Sequence, residues 1–242
     1  MNCKTAVILA AGAGTRMKSE LPKVLHEVCG RPMVSHVISQ AKKAGAETII
    51  AVIGHGAEQV KEGLKEEEIL FALQEKQLGT GHAVMQAADR IPDEGDVFVL
   101  CGDTPLITSE TLAEFAAYHS GSNNAVTVLT AIFDNPFGYG RIIRGEDGNL
   151  QKIVEQKDAD ETEKAVKEVN AGMYCFNGAF LRENLPKLSN QNAQNEYYIT
   201  DLIGMAVESG AGAGAFAAPH FPRRAAGRFH SRRSSCVPPR DT

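Results

Sequence analysis

Leu9-Ala10-Ala11-Gly12-Ala13-Gly14-Thr15-Arg16-Met17-Lys18-Ser19-Glu20-Leu21-Pro22-Lys23 is the stretch on which the reading of this chain turns. It grows directly out of residues 4–10, a short apolar run rich in β-formers that the glycines bring to an end, so a buried strand followed by a tight loop is predicted. Glycines at 12 and 14 let the backbone turn sharply and leave N–H groups pointing outward, a nest suited to phosphate oxygens. Arg16, Lys18 and Lys23 add positive charge beside it. Two common phosphate loops match only in part. The dinucleotide pattern G-x-G-x-x-G is met at Gly12 and Gly14, and the pattern G-x-x-x-x-G-K-[ST] at Gly12, Lys18 and Ser19. Both fail at Met17, where a glycine is needed for close packing. Taken alone, a glycine-rich turn with solvated bases remains an alternative.

Outward from the loop, strand and helix alternate. Residues 47–53, 69–73 and 96–101 read as strands. Helices are predicted from Pro32 toward Gly45, over 56–64, over 80–90, and over 108–119 with a Thr111-Leu-Ala-Glu114 box at its start. This rhythm predicts an α/β fold, a Rossmann-like, mostly parallel but mixed central sheet with helices on both faces. Beyond Asn124, residues 124–132, 140–144, 150–155 and 169–176 are strand-like, with turns at Asn135-Pro136 and Asp147-Gly148. Helices follow near 179–188 and 198–208, so the second half is expected to finish the sheet and to add a lobe over its edge.

The chain has 242 residues, 43% of them apolar, enough for one sizeable domain. Its net charge of −5 conceals an asymmetry: residues 211–242 carry six arginines and one aspartate, leaving a net −10 on residues 1–210. An acidic body argues against nucleic-acid binding. The five cysteines are scattered and odd in number, with no Cys-x-x-Cys pair, which argues against a zinc site or a disulfide framework and for reduced thiols in the cytoplasm. The apolar run before Ala13 is too short for a signal peptide, and no stretch reaches transmembrane length, so no membrane partner is expected. Residues 211–242, opening on a Gly/Ala repeat, are predicted to be a disordered tail, which puts the domain boundary at 210.

Two further blocks follow strands. Gln74-Glu-Lys-Gln-Leu-Gly-Thr-Gly-His82 offers a planar amide that can pair with a base edge, with glycines for close approach; a plain helix cap would explain only Gly79–Gly81. Leu100-Cys-Gly-Asp-Thr-Pro-Leu106 places Asp103 at the carboxyl end of a strand, where open sheets bind ligands and where a carboxylate suits Mg²⁺. A turn-capping aspartate is the alternative. None of the seven histidines has metal spacing or a paired nucleophile, and none is assigned a catalytic role.

The whole run L-A-A-G-x-G-T-R-M-x-S-x-x-P-K is more specific than either partial match. It resembles the signature of the nucleotide-sugar pyrophosphorylases, a nucleoside-triphosphate transferase family, and the resemblance extends over residues 1 to about 209. Within that family the chain is most similar to the bacterial uridyltransferases that are fused to a glucosamine-1-phosphate acetyltransferase. The resemblance implies the nucleotide-diphospho-sugar transferase architecture with a small sugar-binding lobe. It implies transfer of UMP from UTP to N-acetylglucosamine 1-phosphate, giving UDP-N-acetylglucosamine and pyrophosphate for cell-wall precursors, with Mg²⁺ as cofactor.

Site residues follow from the same resemblance. Arg16, Lys23 and Asp103 would be catalytic, with Asp103 the metal ligand. Leu9, Ala10, Ala11, Gly12, Gly14, Lys23, Gln74, Gly79, Thr80, Cys101, Gly102 and Asp103 would line the nucleotide site, Cys101 standing where many members have tyrosine. Gly140, Glu155 and Asn170 would hold the sugar, with Tyr198 and Thr200 of the Asn195–Asp201 block flanking it or simply opening a helix.

Two departures stand out. The family's second metal ligand, an asparagine beyond the Tyr-Tyr-Ile-Thr-Asp block, has no counterpart, because no asparagine follows Asn195; the arginine-rich end has the look of a shifted reading frame. The hexapeptide repeats of the fused β-helical acetyltransferase are also absent, so neither acetyl transfer nor β-helix-driven trimers are expected. A pyrophosphorylase of other specificity, and a weak UTP- or UDP-sugar-binding module, remain the alternatives.

Overall fold

A computed structural model describes residues 3–14 and 19–217. Arg16 and Lys18 of the glycine loop, and the arginine-rich residues 218–242, lie outside the described residues. In chain order the elements are β1 (Cys3–Ala10), β2 (Glu27–Val28), β3 (Arg31–Pro32), α1 (Met33–Lys43), β4 (Thr48–Ile53), α2 (Ala57–Gly63), β5 (Leu70–Leu73) and α3 (Thr80–Met85). There follow β6 (Asp96–Cys101), α4 (Ser109–Ser122), β7 (Val126–Ile132), β8 (Arg141–Arg144), β9 (Leu150–Val154) and α5 (Glu161–Lys164). The last are β10 (Glu168–Asn177), α6 (Gly178–Asn184), α7 (Asp201–Glu208) and β11 (Ala213–Ala217).

The main sheet runs β11-β7-β10-β6-β1-β4-β5, with β8 and β9 branching from β10 as an antiparallel pair. Around β1 the sheet is parallel: β1 pairs with β4 and β6, and β4 with β5. β10 enters antiparallel between β6 and β7, which makes the sheet mixed. Strand alternation sends Ala6, Ile8 and Ala10 into one core with α1, α2 and α4, and Val7 into a second core with α3, α6 and α7. The nearly continuous apolar run of β1 thus reflects burial on both faces. The chain leaves β1 toward β4 and β5 on one side and returns with β6 on the other. A crevice therefore opens between the carboxyl ends of β1 and β6, the place where such sheets take ligands.

Several local expectations are corrected. α3 stops at Met85, and Ala88–Arg90 form a separate 3₁₀ turn, because Gln86 and Ala87 donate to carbonyls only three residues back, at 3.2 and 2.9 Å. The helix predicted from 198 begins at Asp201, since Tyr197 O and Ile199 N are bonded to Gly81 N and Thr80 Oγ1 instead. α4 is capped by Thr108, whose Oγ1 accepts from Thr111 N at 3.2 Å, rather than by a box on Thr111.

The reading of 211–217 as disordered tail is also overturned. β11 pairs in parallel register with β7, Ala213 opposite Val126 through Ala217 opposite Thr130. Its small residues permit close approach: a Cβ on Gly214 would lie 2.4 Å from Asn124 Nδ2. One aromatic, Phe216, stacks on Phe115 with centroids 5.8 Å apart. Composition hid a strand whose stability is entirely tertiary. Of the described cysteines, Cys3, Cys101 and Cys175 are free thiols as expected, whereas Cys29 is disulfide-bonded.

One polar group is built into the core away from the crevice. Buried His119 on α4 meets Thr127 Oγ1 through Nδ1 at 2.7 Å and faces Asp96 Oδ1 from Nε2 at 3.5 Å. Ser120 donates to the other Asp96 oxygen at 3.0 Å. The hydrogen bond from His119 holds the Asp96 carboxyl below its ordinary range, against the opposing effect of burial. A depressed acid stabilises the fold above its unfolded value, and that contribution is lost as pH falls through the folded one. Asp96→Asn is accordingly expected to cost about 1 kcal/mol near pH 7. In urea titrations the gap to the parent should close below about pH 4; a gap that stays constant with pH would show that the carboxylate charge contributes nothing.

Candidate nucleotide and sugar-phosphate site

The loop after β1 and the loop after β6 meet in the crevice. Gly102 N donates to Leu9 O at 2.9 Å, and a Cβ on Gly102 would lie 2.9 Å from that same oxygen, so only glycine allows the two loops this approach. Ala10 and Ala11 are buried beneath them, and His55 N holds Ala11 O at 3.1 Å. Gly12 faces open space, and Gly14 takes a positive φ of 58° with its α-carbon against the Lys23 stem. Lys23 enters a 3₁₀ turn, Lys23–Leu25, whose Val24 and Leu25 are buried; this anchors the lysine while its ammonium reaches Asp103 Oδ2 in a direct ion pair. Both side chains keep about a third of their surface exposed, 38% and 31%. The strand ends thus bring together Lys23 and Asp103, 80 residues apart, at the mouth of the crevice.

On the β5 side, Gln74 follows the edge strand and is buried. Its Nε2 donates to Gly79 O at 3.1 Å. Gly79 adopts φ 106°, and a Cβ there would strike Tyr197 O at 2.6 Å. Thr80 Oγ1 accepts from Ile199 N at 3.2 Å. The block approaches the glycine loop at Gly54, where a Cβ would lie 2.8 Å from Gln74 O and 3.0 Å from Ala11 Cβ.

On the β10 side, Cys101 Sγ donates to Gly172 O at 3.1 Å, and Gly172 N donates to Asn170 Oδ1 at 2.8 Å. Asn170 Nδ2 donates to the phenol oxygen of buried Tyr174 at 2.7 Å, and Asn170 N to Gly140 O at 2.9 Å. A Cβ on Gly140 would lie 3.3 Å from Glu155 Oε1, which accepts from Thr200 Oγ1 at 3.3 Å. Tyr198 donates to Asp158 Oδ2 at 3.3 Å. Three groups of contacts thus lie at successive strand ends: Gln74 with Gly79 after β5, Lys23 with Asp103 between β1 and β6, and Cys101, Gly172, Asn170, Gly140 and Glu155 beside β10. Arg16 falls outside the described residues. Reading the sequence missed His82 and Tyr174, the groups that bond Gln74 and Asn170; His82 ends the quoted Gln74 block and Tyr174 lies in the predicted strand 169–176, but nothing in their spacing marked them.

The family model described as nucleotidyl transferase matches residues 5–221, nearly the whole described chain. The chain belongs to the nucleotidyl transferase family. Among its relatives, the bifunctional protein GlmU of Alkaliphilus oremlandii (strain OhILAs) is 57% identical over 211 residues, covering 87% of this chain and 46% of that protein. The bifunctional protein GlmU of Geobacillus thermodenitrificans (strain NG80-2) is 56% identical over 217 residues, with 89% and 47% covered. The chain thus spans about half the length of the curated relatives it matches. In fold it is similar to a putative glucose-1-phosphate thymidylyltransferase from Bacillus anthracis, solved in complex with a sucrose: TM-score 0.74, 19% identity, 88% of this chain and 86% of that one covered.

In this nucleotidyl transferase the charges of these groups are graded. Burial pushes the Glu155 carboxyl above its usual range; Thr200 opposes this, and the nearby acids Asp158, Asp201 and Glu196 add to it. Burial pushes the Cys101 thiol up to about 12, with Asp103 adding and Lys23 opposing, so at neutral pH it is a neutral donor to Gly172. Among the described residues no three His, Cys, Asp or Glu side chains gather to hold a metal. Nor is any helix among them long and apolar enough to cross a membrane.

Proposed function

We propose that this nucleotidyl transferase joins UTP to N-acetylglucosamine 1-phosphate, releasing pyrophosphate, in the cytoplasm. The observation that carries this reading is the set of groups at the strand ends: a base-edge amide after β5, a lysine–carboxylate pair beside a glycine turn, and half-buried polar groups suited to a polyol beside β10. Gln74 and Gly79 would meet uracil, and Thr80 would hold Gly79 in place. Leu9, Ala10, Ala11, Gly12 and Gly14 would offer backbone to the triphosphate, joined by Arg16 and Lys23. Gly140, Glu155 and Asn170 would orient the sugar, with Cys101 and Gly102 closing the floor between. The family's dependence on a divalent cation fits the donor set, since Mg²⁺ accepts a single carboxylate when phosphates and water complete its shell. Asp103 would hold Mg²⁺, which when bound neutralises phosphate charge.

The sugar-phosphate oxygen would attack the α-phosphorus of UTP in line as the bond to pyrophosphate breaks, with no covalent enzyme intermediate. The chain's contribution is then position and charge. In the structure Lys23 and Asp103 neutralise each other. An ion pair this exposed is worth about 0–1 kcal/mol, so exchanging it for phosphate and cation costs little. Pyrophosphate release from N-acetylglucosamine 1-phosphate with UTP, compared with dTTP, CTP and GTP, tests the proposal. Selective turnover with UTP is expected; equal turnover with another nucleotide would reject the assignment, and binding without turnover would favour a binding module.

Glu155 separates affinity from stability. Its folded-state acidity is weakened, so holding it ionised at neutral pH opposes folding. Glu155→Gln is expected to raise the melting temperature near pH 7, the gain disappearing in acid. The same change should raise KM for the sugar phosphate about tenfold, as the loss of one charged hydrogen bond would. Unchanged KM would remove Glu155 from the sugar site.

A further inference from the structure

We propose that His82 is a specificity-determining positioning residue, which locks the Gln74 amide so that its carbonyl oxygen and not its NH2 is presented to the base. The inference rests on the reading of Gln74 as the residue that meets uracil. It starts from how few ways the amide can be satisfied. Gln74 is 3% exposed, and its backbone N–H is already bound to Ile53 O at 2.8 Å. Its side-chain nitrogen lies 3.1 Å from Gly79 O and 3.0 Å from His82 Nδ1. A backbone carbonyl only accepts, so the group facing Gly79 is the NH2. The second hydrogen points at His82, whose Nδ1 accepts only as the bare nitrogen of the Nε2–H tautomer. Both amide hydrogens are then held by protein. No described residue donates to Gln74 Oε1, and the amide offers an acceptor alone.

That acceptor has a partner in uracil, whose N3 carries a hydrogen. Cytosine is the same size and shape but has a lone pair at N3, so an acceptor there repels it. The discrimination lasts only while the amide cannot rotate by half a turn, and Gly79 O opposes rotation with a single bond. His82 doubles that lock. The imidazole is itself held: α3 is pinned by Gly81 N to Tyr197 O at 2.8 Å, the ring lies 6.1 Å from that of Tyr197, and Gln86 Nε2 caps His82 O at 3.1 Å. Gln86 Nε2 is also 3.4 Å from His82 Nε2; in the Nε2–H tautomer both nitrogens carry hydrogens, so this long contact is not a hydrogen bond and contributes nothing to the lock.

Calorimetric titration of the whole chain with UTP and with CTP, in the presence of Mg²⁺, tests this. His82→Ala should cut the preference for UTP about tenfold, ~1.4 kcal/mol, with most of the change in weaker UTP binding. His82→Asn, whose Oδ1 can accept in place of Nδ1, should restore most of the preference; a structural role for His82 would give no such rescue at equal melting temperature. Gln74→Ala separates two failures. If it leaves the UTP-to-CTP ratio intact, Gln74 does not read the base and the underlying assignment falls. If it lowers the ratio while His82→Ala does not, the assignment stands and the positioning role is wrong. Nitrogen NMR of the parent imidazole should show an unprotonated Nδ1 at His82, whatever the variants do; a hydrogen on Nδ1 overturns the proposal.

Discussion

Asp103→Ala and Lys23→Ala are each expected to lower pyrophosphate release by at least 10²–10³, the effect of deleting one preorganised charge at a reacting centre. The two side chains are in contact across the crevice and about a third exposed. Losing that contact should cost the fold only about 0–1 kcal/mol. Large loss of turnover with almost unchanged melting temperature is therefore the signature of a catalytic pair, and it distinguishes these residues from structural ion pairs. Lys23→Ala should chiefly weaken triphosphate binding, whereas Asp103→Ala should flatten the response to added Mg²⁺. A folded variant of either residue with near-parental turnover would exclude that residue from the chemistry.

Gly79→Ala is expected to combine the largest loss of stability with loss of nucleotide binding. Gly79 sits at φ 106° and ψ 175°, a backbone state that side chains rarely adopt. An added Cβ would also lie 2.6 Å from Tyr197 O and 2.9 Å from Tyr197 N, both backbone atoms of a segment that Leu78 O and Gly81 N hold in place. Strain of this kind costs about 1–3 kcal/mol. For a chain of this size that is a fall of roughly 2–12 °C in melting temperature. Relief by movement of Gly79 would carry its carbonyl away from Gln74 Nε2, so UTP binding should fall with stability. Thermal melts with and without UTP check both halves; parental melting behaviour would mean that the backbone there is free to relax.

The elements legible in the sequence were those that stand on local physics. Apolar runs of six to eight residues, ended by glycine or by Gly-Asp, marked β1, β4 and β6, and β6 begins and ends where predicted. The turns at Gly14 and Gly102 were visible because a side chain there would strike Lys23 Cβ at 2.7 Å or Leu9 O at 2.9 Å. Helix ends were less legible. Thr108 outcompeted Thr111 as cap, and α3 broke after Met85, because which donor meets which acceptor depends on the turn the chain has already taken. β11 was not legible at all: Ala213–Ala217 has little strand propensity, and what orders it is β7 on one side and the Phe115–Phe216 stack.

By itself the amino-acid order determined the alternating strand–helix architecture and the tight glycine turns at the strand ends, since patterning and backbone freedom are local properties; the roles expected of the site residues came from the family resemblance of whole motifs. The tertiary structure alone decided that Lys23 meets Asp103, that the Gln74 amide nitrogen sits between Gly79 O and His82 Nδ1, and that Asn170 leans on Tyr174. Hydrogen bonds and charges act over a few ångströms, and only the folded sheet brings residues 80 positions apart within that reach.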